Sequence, residues 1–241
     1  MSASAATREF LMRFAALLSD LSKNDPKLSS FAEAIAGLES ETDQASSLDR
    51  STHPITAHVA PLLDRATADA DLVDTIRALT GDLRWYQIFQ GGGIDRSLAE
   101  GLFAAPLAGP TGFIASDPVR AGLFLLAPNI CYPLHSHAAE ELYFGLSGRL
   151  TLQHGTQGEP FTIDGTSWSV TPSNRLHSLR TGDEPVLLAF IWKGEINAPN
   201  WWWAQQEDGS WRRTCWTRTP TGAWAVEREE AVSAALVAEQ V

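Results

Sequence analysis

The chain has 241 residues, 44% hydrophobic and 20% charged, which suffices for one good-sized domain with a helical appendage. A formal net charge of -11 argues against nucleic acid and anionic membranes as partners. Two cysteines, Cys131 and Cys215, exclude a disulfide framework.

In chain order, the N-terminal stretch is apolar but lacks a basic leader, and Arg13 and Asp20 interrupt it. It reads as an amphipathic helix rather than a signal peptide. Phe10, Leu11, Phe14, Leu17, Leu18 and Leu21 form its stripe. Phe31, Ile35 and Leu38 predict a second helix capped by Ser29 or Ser30. A polar loop follows, then a third helix between His53 and Leu79, broken near Pro61. No apolar run approaches the roughly 20 residues that span a bilayer. The expected location is cytoplasmic.

Near Gly81 the pattern changes to short apolar runs between turn residues, such as RAGLFLLAP and VLLAFIWKG. The expected organisation is therefore mainly β with a helical N-terminal extension. Residues 1–80 are the extension, 81–220 a β sandwich or barrel, and 221–241 a C-terminal segment for which a helix is expected.

The chemistry is concentrated in YPLHSHAAEELYFGLSG, which begins at Tyr132. On an extended strand His135 and His137 point the same way, and Glu141 and Tyr143 share a face. A second strand carrying His177 has to come alongside. Three or four nitrogen and oxygen donors then converge on one divalent metal, with positions left for substrate. Such donors accept Zn, Fe, Mn, Co or Ni. His53, His58 and His154 read as structural, and Cys131 as a small buried residue beside the site.

His135-x-His137-x-x-x-Glu141-x6-Gly148 resembles the first cupin motif, and Gly165 with Pro172-x-Asn174-x-x-His177 resembles the second. Asn174 stands where glycine is usual, a mild departure because asparagine tolerates the left-handed conformation. The usual asparagine after the histidine is Thr181, and the Gly-to-Pro spacing is one longer. The resemblance implies a double-stranded β-helix, or jelly-roll barrel. The stretch is more specifically similar to the bacterial cupin dimethylsulfoniopropionate (DMSP) lyases. That similarity implies cleavage of DMSP, a small zwitterion, to acrylate and dimethyl sulfide by β-elimination. The metal ligands it implies are His137, Glu141, Tyr143 and His177, with His135 outside the ligand set. Tyr132 and Tyr143 are the implied catalytic residues. Trp192 is the implied wall of the substrate pocket, with Trp168 and Phe144 as further candidates. The Trp201–Trp203 run reads as packing for the helical extension. A homodimer is compatible with these features. The rival functions are another cupin metalloenzyme, a dioxygenase or isomerase, and a non-catalytic ligand-sensing cupin.

Overall fold

The computed structural model describes residues 2–91, 93–219 and 222–241. The helices come first: α1 (Ala3–Leu21), α2 (Ser29–Ala36), α3 (Val59–Asp64) and α4 (Ala70–Leu79). Then follow β1 (Tyr86–Gln87), α5 (Arg96–Gly101), β2 (Leu102–Ala108), β3 (Val119–Leu126), β4 (Cys131–Ser136), β5 (Glu140–Ser147), β6 (Leu150–His154), β7 (Phe161–Ile163), β8 (Trp168–Thr171), β9 (His177–Thr181), β10 (Val186–Lys193), β11 (Asn200–Gln205), β12 (Trp211–Arg218), β13 (Trp224–Val232) and α6 (Ala234–Ala238).

Local chemistry explains the helix boundaries. Ser2 caps α1 by accepting from the Ala5 amide, and Asp69 caps α4 by accepting from Leu72. The Ser29/Ser30 cap does not form. A 3-10 turn at Pro26–Leu28 runs directly into α2, so the cap moves upstream to Asp25. Nor does Pro61 break the third helix. It sits in the first turn of α3, where its missing N–H is not needed. The break falls between Asp64 and Ala70 instead.

Two antiparallel sheets form the jelly-roll. One has the order β1-β2-β3-β10-β5-β8 and the other β13-β12-β11-β4-β9-β6-β7. The six-stranded sheet is buried on both faces, which is why β3, β5 and β10 read as continuous apolar runs. Leu123, Leu125, Leu142, Phe144, Leu146 and Ile191 face the helices. Phe124, Tyr143, Leu188 and Phe190 face the other sheet. Phe14 of α1 reaches Phe144 edge-on at 5.5 Å.

Three sequence expectations change here. The C-terminal segment opens as strand β13, and only Ala234–Ala238 is helical. The expected boundary at Pro220 and Thr221 lies outside the described residues. Cys131 is exposed while Cys215 is buried, because Cys131 opens β4 on the face opposite Tyr132. The tryptophan run lies in β11 between β4 and β12, outside the core that the N-terminal helices form. Strand β2 carried no signal that sequence reading used. No helix among the described residues is long and apolar enough to cross a membrane.

Docking of the helical layer rests on Phe14, which is fully buried. Phe14→Ala is expected to cost about 3–5 kcal/mol in urea unfolding. A loss under about 1 kcal/mol would mean that the layer contributes little to the cooperative unit.

Candidate metal centre

Two cross-strand rows build the site. In the seven-stranded sheet Trp202, His135, His177 and His154 lie directly opposite one another on β11, β4, β9 and β6. In the six-stranded sheet the facing row is Arg120, Trp192, Glu141 and Thr171 on β3, β10, β5 and β8. Directly opposed residues share a face, so each row turns its side chains toward the other.

Tyr132 and His135 are three apart and would point to opposite faces of a regular strand. A register shift between them, spanning Pro133 and Leu134, turns both inward. Their rings stack at 3.7 Å. His137 follows the end of β4, two residues on from His135. His177 follows Asn174, whose φ of 59° is the left-handed conformation the motif requires. The C-terminal tail fastens that loop. The Gln240 side chain accepts from the Leu176 amide at 2.8 Å, and Arg175 donates to the Glu239 and Val241 carbonyls.

All three histidines are buried, and each Nδ1 is bonded to a nearby carbonyl. His135 bonds Pro133 at 2.8 Å, His137 bonds Ala139 at 3.0 Å and His177 bonds Arg175 at 3.0 Å. A carbonyl only accepts, so Nδ1 carries the proton and Nε2 presents a lone pair. His135, His137 and His177 thus form a buried group able to hold a metal ion, their ligating atoms within 4.8 Å of one another. Glu141 joins them. Its Oε2 lies 3.6 Å from Nε2 of His137 and 3.2 Å from Nε2 of His177. These three atoms are buried without a hydrogen-bond partner among the described residues. Its other oxygen accepts from the Trp192 indole N–H.

The electrostatics follow from burial. Desolvation, then the neighbouring His177 and His137, holds the His135 pKa well below the usual range, so the ring is neutral and metal-competent. Burial opposes charge on Glu141, yet the flanking His137 and His177, where they carry a proton on Nε2 in place of a metal, outweigh it and hold the group well below the usual carboxylate range. Burial, then the Glu141 charge, pushes the Tyr143 phenol well above its ordinary range. Burial likewise raises Tyr132, against the opposing effect of Asn200, whose amide donates to the phenol oxygen at 3.1 Å.

His135, His137, Glu141 and Tyr143 line a cavity of about 400 Å³. All three tyrosines of the chain line it, Tyr86 included, as do Phe124, Phe190, Trp192, Trp216 and Trp224. Trp192 lines the cavity, with the His137 ring 4.3 Å away. Phe144 and Trp168 are not in the cavity. They are a cross-strand pair on the opposite face of the sheet, stacked at 6.3 Å, and Trp168 donates to Asp25 at 2.9 Å. Strand alternation decides this: with Tyr143 inward, Phe144 must face the helices. His135, expected outside the ligand set, belongs to the metal-competent group. His53 caps a 3-10 turn and packs against the Phe103 ring at 4.6 Å, and His58 is exposed. His154 lies behind the site, bonded to Thr171 at 3.1 Å. Sequence reasoning missed Asn200, Trp202, Tyr86, Arg120 and Arg218. The period-two pair Asn200 and Trp202 on β11 was the one available signal.

The family whose model matches residues 27–188 is described as dimethylsulfoniopropionate lyase. The dimethylsulfoniopropionate lyase DddQ of Ruegeria pomeroyi is 30% identical over 131 residues. That stretch is 54% of this chain and 64% of DddQ, so the match spans a little less than two thirds of that relative. The crystal structure of the same enzyme superposes with a TM-score of 0.61 at 24% identity, covering 81% of this chain and 95% of that one. A structure from a study of the DMSP lyases RdDddP and RnDddQII gives 0.58 at 22% identity, over 80% and 94% of the two chains. At these identities the superpositions establish the fold.

Trp192→Phe removes the N–H that Glu141 accepts while keeping a ring in place. Metal affinity, read by competition with a chelator, is expected to fall about tenfold or more. Trp168→Phe, on the other face, should leave it unchanged. Equal affinities in both variants would refute the role of the indole.

Proposed function

The chain belongs to the dimethylsulfoniopropionate lyase family, and from that membership we propose that it cleaves DMSP to acrylate and dimethyl sulfide by β-elimination. The observation that carries the reading is the convergence of Nε2 of His137, Nε2 of His177 and Oε2 of Glu141, buried and unsatisfied, at an aromatic cavity. In this reading those three residues hold one divalent transition metal, and His135 and Tyr143 flank it as the remaining donors. When bound, such a metal supplies positive charge that stabilises the negative charge building at the carboxylate end of the substrate.

The chain's own residues supply the rest. A base takes a proton from the carbon beside the carboxylate. The electron pair forms the carbon–carbon double bond, and the carbon–sulfur bond breaks toward sulfur. Dimethyl sulfide leaves neutral, so no general acid is needed. The proposed base is Tyr132. Burial works against its phenolate, while the Asn200 amide that donates to its oxygen, and the positive charge of a bound metal, would work for it; its ring is held by His135 and Phe89. Tyr143, beside Glu141, is the proposed further metal donor, and a phenolate neutralised by a cation would be the weaker base. The faces of Phe124 and Phe190 offer the sulfonium a cation-attracting wall.

Headspace measurement of dimethyl sulfide tests the activity. Tyr132→Phe should lower kcat by about two orders of magnitude with metal content intact. Tyr143→Phe should reduce metal content as well as turnover. Wild-type turnover in both metal-loaded variants would eliminate the tyrosine mechanism.

A further inference from the structure

Arg120 has a place in the row of Glu141 but no role in the chemistry above. It lines the cavity, half-buried. Its side chain makes no hydrogen bond or ion pair to any described residue, and its guanidinium lies over the Trp192 indole, 6.0 Å from guanidinium carbon to ring centroid. Trp192 in turn holds Glu141. One cross-strand step therefore separates the free guanidinium from the residue that orients a metal donor.

The second cation of the cavity is already engaged. Arg218 donates to the carbonyls of Ile88 at 3.0 Å and Gly222 at 2.8 Å and lies over the Trp224 ring. Glu141 is the one carboxylate among the lining residues, and it is turned toward His137, His177 and Trp192. Two guanidiniums thus share the cavity with no anion answering them, in a chain whose net charge is -11. Burial and the repulsion of Arg120 both bear on Arg218, lowering its pKa. A cavity of about 400 Å³ falls in the range that takes drug-sized ligands. A small zwitterion fits it in more than one orientation, so charge has to select the productive one.

We propose that Arg120 is a carboxylate-capture residue, which receives the anionic end of the substrate and turns away the sulfonium end. The guanidinium suits the task because it offers a planar fork matched to a carboxylate. The guanidinium lies over the Trp192 ring, whose indole N–H in turn holds Glu141. The sulfonium end is left to the aromatic side chains of Phe190, one inward row from Arg120, and Phe124, two rows away. This assignment rests on the lyase reading for its substrate, but the charge selection it describes is a property of the cavity.

Binding to the intact, metal-loaded protein separates the two. The probes are propionate, a carboxylate without a leaving group, and trimethylsulfonium, a cation without a carboxylate, each titrated calorimetrically into wild type and Arg120→Gln. Propionate should bind about tenfold or more weakly to the variant. Trimethylsulfonium should bind equally or better, because a repelling charge has gone. Arg120→Lys keeps a point charge without the fork and should recover part of the propionate affinity. The loss in DMSP turnover should fall on KM more than on kcat. Unchanged propionate affinity overturns the assignment. So does parallel weakening of both probes, which would mark Arg120 as packing alone. Should Arg120→Gln not fold, Arg120→Met keeps an unbranched stem against Trp192 and answers the same question. Absence of dimethyl sulfide from wild type would sink the lyase reading and leave this result standing.

Discussion

Three polar atoms, Nε2 of His137, Nε2 of His177 and Oε2 of Glu141, are held out of water without a hydrogen-bond partner. Leaving such a group unmade costs about 1–3 kcal/mol each, so nothing in folding favours the arrangement by itself. The fold has to impose it. Each histidine is locked through Nδ1 to a carbonyl two residues away, and Glu141 through Trp192. The loop before His177 is tied to Gln240 at the far end of the chain. A site that destabilises the apo fold and is braced from its outer side is the arrangement expected of a metal centre.

The bracing explains why the sheets are unequal. The six-stranded sheet is apolar on both faces and is clamped between the helices and the second sheet. The helical layer supplies no donor to the site. It covers the outer face, where Phe144 and Trp168 pack and where Asp25 takes the Trp168 indole proton. Without that cover β3, β5 and β10 would expose a broad apolar surface.

Much of the site was legible because its residues follow rules of spacing. His135 and His137 obey the strand period, and Glu141 and Tyr143 obey it again after the turn. The Asn174 substitution kept the backbone geometry of glycine, at φ 59°. The errors arose where one more fact was needed. Phe144 and Trp168 are aromatic and adjacent to the motif, yet alternation sends them outward once Tyr143 points in. Tyr132 reaches the cavity with His135 only because of the bulge at Pro133–Leu134. Trp202 faces Tyr132 at 5.8 Å, whereas Trp201 and Trp203 face Arg213, so the run divides between the two surfaces of β11. Arg120 and Asn200 carry no motif. They become visible only when sheet order sets them beside Trp192 and Tyr132.

The reaction proposed here needs a base, a concentration of positive charge and a cation-tolerant wall, and no single strand can present all three. The jelly-roll divides them. Tyr132, Asn200 and the three histidines come from the seven-stranded sheet and its β4 end. Glu141, Tyr143, Trp192, Arg120, Phe124 and Phe190 come from the six-stranded sheet. Their mutual distance is therefore a distance between sheets, set by the apolar layer of Leu126, Leu150, Leu152, Leu179 and Leu188 that fills the sandwich below the site. Interiors are close-packed, so a change in that layer is transmitted rather than absorbed. Positioning to a fraction of an ångström governs proton transfer and donor geometry alike. The leucines that touch neither metal nor substrate are thus part of what holds base and acceptor in register.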